Sequence, residues 1–229
     1  MDGNGRWAQA RGLPRVKGHA AGADTVRRIV RACGERGVEA LTLYSFSTEN
    51  WSRPQLEVEA LMSLLATYLR DESDELMLNN VRLRGIGEVE RLPSHVQALL
   101  SHVTEYTAEN EGMWLNLALS YGGRAEITRA ARGIAQAVRE GELSVEEITE
   151  ETLADRMYLS DLPDPELMIR TSGELRLSNF LLWQLAYAEF WITDTPWPDF
   201  TEQHLDEAID AFSSRQRRFG KTGEQVTTE

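Results

Sequence analysis

Cysteine is all but missing: Cys33 stands alone among 229 residues, so no disulfide can close within the chain. An unpaired thiol suits a reducing, cytoplasmic setting. Long apolar runs are missing too. The longest, residues 180–192, is interrupted by Gln184 and Glu189 and is too short to cross a bilayer. No charged-then-apolar leader opens the chain. With 7 Pro, and 17 Gly in no repeat, collagen-like and low-complexity classes are excluded. Positive charge is scarce as well: 24 Lys and Arg face 37 Asp and Glu, for a net −13. Such a field repels nucleic acid, whose affinity rests on neutralised phosphates.

What is present suffices for one folded domain. Apolar residues make up 41% of the chain, and a chain this long buries roughly 70% of the surface its unfolded form exposes. It needs no metal or disulfide staple. The charge is unevenly spread. Residues 1–28 hold Arg6, Arg11, Arg15, Lys17, Arg27 and Arg28 against only Asp2 and Asp24. A cationic island on an acidic protein fits a small anionic ligand better than a polyanion.

Helical and extended patterns alternate along the chain. Val26, Ile29, Val30 and Cys33 recur at helical spacing, with Gly37 where a cap belongs. Residues 39–47 read as a strand, and Ser52 and Pro54 open a long helix. Strand 81–87, helix 93–110, strand 113–121 and helix 124–140 follow. A short helix at 149–158, strand 167–171, a helix capped by Ser178, strand 190–193 and helix 201–219 complete the pattern. Strands separated by helices predict an α/β fold, a parallel sheet with helices on both faces. No linker divides it, so residues 1–220 are expected to form one domain and 221–229 a polar tail.

Four segments could carry chemistry. The opening Asp2-Gly3-Asn4-Gly5-Arg6-Trp7 joins backbone that can approach a phosphate, an arginine fork and a carboxylate able to hold a divalent cation. Its G-x-G-x-x-A spacing is not a dinucleotide site, because Gly12 and Pro14 would break the long helix that site needs. No Walker A motif occurs. The second segment, residues 169–178, leaves a strand end with Arg170, Arg176 and Ser178 and suits a second phosphate, seated on a helix N-terminus. Third, Glu189 interrupts an apolar run, where a carboxylate must reach solvent or a cationic partner such as a metal. Fourth, residues 45–54 mix aromatic, hydroxyl, amide and guanidinium groups, as pockets for ligands with polar heads and apolar tails do. The acidic run 71–75 reads as a solvated face, and His95, His102 and His204 lack metal-ligand spacing.

Together these segments resemble the cis-prenyltransferase family, in the blocks MDGNGRWA (1–8), LTLYSFSTENWSRP (41–54), NLALSYGGR (116–124) and 169–200. The resemblance implies a homodimer with a central parallel sheet and a tunnel for a growing hydrocarbon. It also implies Mg²⁺ and the addition of isopentenyl diphosphate in Z geometry to an allylic diphosphate such as farnesyl diphosphate. The product would be a long polyprenyl diphosphate such as undecaprenyl diphosphate, a cell-wall lipid carrier precursor, released with a peripheral membrane contact. A short- or medium-chain synthase and a non-catalytic lipid-binding subunit are the alternatives.

By the same resemblance Asp2 is the essential metal-binding aspartate and Glu189 a second magnesium ligand. Gly3, Asn4, Gly5, Arg6, Trp7, Arg15 and His19 would hold the allylic diphosphate. Ser47, Thr48, Glu49, Asn50, Trp51 and Arg53 would lie between the substrates, with Asn50 assigned as the proton acceptor; because a neutral amide is a poor base, it is expected instead to orient a better acceptor, such as the released diphosphate. Arg170, Arg176, Leu177 and Ser178 would grip isopentenyl diphosphate. Ser45 and Met113 would line the tunnel, Met113 near its closed end. Two departures stand out. The family's first strand, which delivers the glycine loop, is not found ahead of Asp2, which is therefore expected to be poorly anchored. Leu175 stands where some relatives have a metal-proximal histidine.

Overall fold

The structure, a computed structural model, describes residues 1–215. The tail expected at 221–229 and the end of the last expected helix lie outside them. Three strands, β1 (Ala40–Ser47), β2 (Arg82–Ile86) and β3 (Trp114–Tyr121), form a parallel sheet in the order β1-β3-β2. Two more, β4 (Leu167–Arg170) and β5 (Glu189–Ile192), pair in parallel as a second, smaller sheet. Helices α1 (Asn4–Ala10), α2 (Arg15–Glu35), α3 (Gln55–Leu78), α4 (Ser94–Tyr106), α5 (Gly123–Glu140), α6 (Glu150–Ala154) and α7 (Glu202–Ser213) surround them. Among the described residues no helix is long and apolar enough to cross a membrane.

β3 explains the layering. Seven of its eight residues are buried, as a continuous apolar strand covered on both faces requires. Strand alternation sends Leu115, Leu117 and Leu119 into the main core under α2, α3, α4 and α7. Ala118 and Tyr121 meet a second core with Leu159, Leu181 and Leu185. The register is pinned by a polar row. Asn116 donates to Thr42 Oγ1 at 3.2 Å and accepts from Arg84 Nε at 2.7 Å, and Arg84 reaches Asp161 at 2.9 Å. A one-residue slip would bury these groups unpaired.

The loop-breaking residues act as expected. α1 ends at Ala10 before Gly12 and Pro14, and α2 restarts at Arg15. Gly37, with φ 71°, follows α2, and Gly141, with φ 74°, caps α5. α1 then lies against α2 because Gly18 has no Cβ: one placed there would sit 1.9 Å from the Asn4 carbonyl oxygen.

One expected element is not formed. The segment after Ser178 is a series of turns rather than a helix. Ser178, Asn179 and Leu181 have φ of 50°, 64° and 41°, in the left-handed region, which no right-handed helix can contain. Ser178 therefore offers a hydroxyl to an anion but no helix terminus.

Among the described residues β1 pairs only with β3, and β4 only with β5. Their remaining edges both border a cavity of about 700 Å³. Its walls mix polar groups with an apolar set that includes Leu41, Leu43, Leu167 and Ile169.

Candidate active site

At the C-terminal ends of β1 and β4, where ligands of open α/β sheets collect, the cavity's mouth turns polar. Asp2, Asn50, Arg53, Arg170, Arg176 and Ser178 all line it. Asp2 is firmly held, contrary to expectation. Its N–H donates to Thr171 Oγ1 at 2.8 Å. Its carbonyl accepts from Thr171 Oγ1 at 2.9 Å, Ser172 Oγ at 3.2 Å and the Trp197 N–H at 2.9 Å. These contacts use the backbone and leave the carboxylate available. The carboxylate accepts from Arg170 Nε at 2.9 Å, and Arg170 Nη2 donates to Ser178 Oγ at 2.9 Å.

Two carboxylates that the sequence reading passed over organise the remaining cations. Glu174 joins Arg6 at 2.6 Å to Arg176 at 2.5 Å, linking the glycine loop to the 169–178 segment. Glu57 lies 3.1 Å from Arg53, 3.7 Å from Arg15 and 3.8 Å from His19. Arg53 and Glu57 are four apart on the helical entry, which was the available signal for Glu57. Nothing local signals Glu174. Gly5 makes room for this cluster, since a Cβ there would lie 2.7 Å from the Arg15 guanidinium carbon. Burial and the nearby Arg53 hold His19 below its usual pKa despite Glu57.

The turn at 48–52 is held by a local side chain and by one from a distant segment. Asn50 Oδ1 accepts from the Ser47 N–H at 3.1 Å, and Asn179 Nδ2 donates to Glu49 Oε1 at 3.0 Å. Ser47, Glu49 and Leu177 also border the cavity. Other expected residues turn elsewhere. Trp51 donates to Ser120 Oγ at 2.9 Å and stacks edge-on against Phe46. Trp7 donates to Asp199 at 2.7 Å, and the exposed Thr48 hydroxyl bonds Glu49 at 3.3 Å. Gly3, with φ 99°, and Asn4 start α1 beside the mouth. Met113 packs in the main core rather than on the wall of the 700 Å³ cavity, which speaks against a place at the tunnel's closed end.

This arrangement has close counterparts. Residues 1–220 match the family described as "Putative undecaprenyl diphosphate synthase". The chain belongs to this prenyltransferase family. It is 51% identical over 226 residues to the farnesyl-diphosphate-specific ditrans,polycis-undecaprenyl-diphosphate synthase of Aliivibrio fischeri, covering 99% of this chain and 88% of that one. An isoprenyl transferase of Clostridium perfringens is 50% identical, with 96% and 87% covered. Lavandulyl diphosphate synthase from Lavandula x intermedia, solved with dimethylallyl diphosphate, superposes with a TM-score of 0.94 at 36% identity, covering 96% and 95%.

The prenyltransferase site fits a hard cation in one particular way. Among the described residues no three His, Cys, Asp or Glu side chains converge to cage a metal. Mg²⁺ needs no cage, being held by one or two carboxylates together with substrate phosphates. Asp2, 42% exposed at the polar mouth, supplies such a carboxylate. Glu189 is placed elsewhere. It lies opposite Leu167, at the start of β4, whereas Arg170, which bonds Asp2, ends that strand. Its cationic partner here is Arg215, at 3.0 Å.

Proposed function

We propose that the chain condenses isopentenyl diphosphate units, in Z geometry, onto an allylic diphosphate such as farnesyl diphosphate, yielding a polyprenyl diphosphate of the undecaprenyl class. The observation that carries this reading is the pairing of two arginine groups with one cavity walled in part by apolar residues. Arg53, Arg15 and His19 gather at Glu57, Arg6 and Arg176 at Glu174, and both groups flank the mouth that holds Asp2 and Arg170. Two diphosphate heads can be held side by side while a hydrocarbon tail lies inside.

In this reading the allylic C–O bond breaks and its electron pair leaves with the diphosphate, while the allylic carbon bonds the terminal carbon of isopentenyl diphosphate. Arg6 and Arg15 stabilise the charge that grows on the leaving group. Arg170, Arg176 and Ser178 position the second substrate through its diphosphate. Mg²⁺ held by Asp2 would offset part of the same negative charge. The condensed cation then loses a proton. A neutral amide is a poor base, and Asn50 already spends its oxygen on the Ser47 N–H, so it orients the acceptor, for which the released diphosphate suffices. The homodimer, the cytoplasmic setting and a peripheral membrane contact at product release belong to the same reading.

The size of the apolar space next to Ser45 favours a short product as a second reading, since that space measures about 110 Å³. Incorporation of labelled isopentenyl diphosphate, with and without chelator, tests the activity. Label in an acid-labile lipid, lost with chelator, supports it; no incorporation at any Mg²⁺ concentration leaves a lipid-binding subunit.

A further inference from the structure

Asn179 stands where three parts of the site meet. Its backbone is left-handed, with φ 64°, a conformation that asparagine tolerates better than most residues with a side chain. Its carbonyl accepts from the Gly123 N–H at 2.7 Å and its Oδ1 from the Arg124 N–H at 2.9 Å. Together they satisfy two of the free N–H groups at the start of α5. A backbone N–H can only donate, which fixes the side-chain amide with its oxygen toward Arg124. The amide nitrogen on the other side donates to Glu49 Oε1 at 3.0 Å, across 130 positions of sequence. Gly122 leaves that passage open. A Cβ there would lie 2.7 Å from Asn179 Nδ2 and 2.8 Å from Thr48 Oγ1.

The two ends of this link serve different jobs. Glu49 precedes Asn50, whose turn is tied to the Ser47 N–H and faces the cavity. Asn179 follows Ser178, whose hydroxyl accepts from Arg170 Nη2 at 2.9 Å in the group that grips isopentenyl diphosphate. After condensation the cation lies on the isopentenyl unit, so the departing proton leaves a carbon close to that diphosphate. Proton transfer needs its partners within hydrogen-bond reach, and a misplacement of about 1 Å costs up to about 100-fold in rate. The spacing between Ser178 and Asn50 therefore matters. No ladder sets it: the turn follows β1 of the larger sheet and the 171–178 stretch follows β4 of the smaller, and among the described residues these sheets do not pair. The bond from Asn179 to Glu49 spans the gap between them.

We infer that Asn179 is a positioning residue for the condensation: its side-chain bond to Glu49 holds the turn carrying Asn50 at a fixed distance from the Ser178 hydroxyl. This rests on the reading of the chain as a cis-prenyl-adding enzyme. Asn179 acts through its neighbours and not on the reacting atoms.

The test uses the full chain with farnesyl diphosphate, labelled isopentenyl diphosphate and Mg²⁺, and reads kcat, both KM values and the urea midpoint. Asn179→Asp keeps the size, the left-handed tolerance and the acceptor toward Arg124, but sets a second carboxylate against Glu49. It should lower kcat about 10- to 100-fold, with the KM for farnesyl diphosphate kept within about twofold. Adding Glu49→Gln remakes the bond with donor and acceptor exchanged, and should return kcat to within about threefold of the unsubstituted chain. A role confined to the start of α5 predicts that Asn179→Asp keeps its kcat, and that result overturns the proposal. A loss that Glu49→Gln leaves unrepaired overturns it as well. Should Asn179→Asp not fold, Glu49→Ala cuts the same link from the side of the turn. An unchanged kcat in that variant overturns the proposal, and a loss of about 10-fold at an unchanged urea midpoint supports it. If the unsubstituted chain incorporates no label, the underlying reading fails, and this proposal with it.

Discussion

Arg170 holds the Asp2 carboxylate at 2.9 Å from the last position of β4. The pair crosses 168 positions of sequence, and it joins the metal-binding candidate to the group expected to grip isopentenyl diphosphate. Because the Asp2 backbone is tied separately to Thr171, Ser172 and Trp197, its side chain can be removed without unfastening the loop. Asp2→Ala should therefore lower turnover at least about 100-fold, with thermal stability and allylic diphosphate binding largely kept. Single-turnover incorporation alongside equilibrium binding measures both; undiminished turnover removes Asp2 from the mechanism.

The two arginines of the 169–178 segment should separate. Arg170 is buried and bridges Asp2 to Ser178, whereas Arg176 is exposed and reaches only Glu174 among the polar partners described. Replacing either with Ala should raise the KM for isopentenyl diphosphate about 10- to 100-fold, the worth of a lost charged hydrogen bond. Only Arg170→Ala should also lower the melting temperature, because it removes a buried guanidinium that ties Asp2 to Ser178. Equal KM effects on both substrates would contradict separate diphosphate sites.

Met113→Ala should be a stability variant. Met113 is packed in the main core, so truncation costs about 2–5 kcal/mol. Product length should not change, and a longer ladder from this variant would return Met113 to the tunnel. Urea titration and product chromatography on the same preparation decide it.

His19 carries a pH dependence of defined sign. Burial, and Arg53 after it, hold its pKa below the ordinary 6.5 in the folded chain, with Glu57 opposing and Arg15 adding to the effect. Below pH 6.5 the unfolded chain binds this proton and the folded chain resists it, so the contribution is complete above that pH and is lost as pH falls. His19→Gln should flatten the decline in urea midpoint between pH 7.5 and 5.5. An unchanged slope would mean that the imidazole is freely solvated.

The fold was largely legible because its signals are local. β3 declares itself by an unbroken apolar run, and the break between α1 and α2 by Gly12 and Pro14. The 178–181 segment was not legible, since Ser178 followed by apolar residues looks like a capped helix. Its left-handed turns are fixed instead from afar. Gly123 N–H donates to the Asn179 carbonyl at 2.7 Å, Arg124 N–H to its side chain at 2.9 Å, and Tyr44 reaches Ser178. The same holds for the site. The arginines are visible as residue types and Glu57 through its spacing from Arg53, but Glu174 is not, since it lies 168 positions from Arg6. Glu189 shows how a correct need can meet a different supply. The sequence left solvent or a cation open as its partner, and in the structure Arg215 provides the cation.

The unshared edges of β1 and β4 have a consequence for how the molecule breathes. In a parallel ladder, alternate residues point their N–H groups to opposite sides, so about half the amides of each strand face the cavity rather than a neighbouring strand. Those protons meet water whenever the cavity does. Their exchange with solvent deuterium is then governed by local access, while the amides of β3, bonded on both sides, wait for global opening. Hydrogen exchange should therefore be slowest at the β3 amides and faster at those of β1 and β4 that face the cavity.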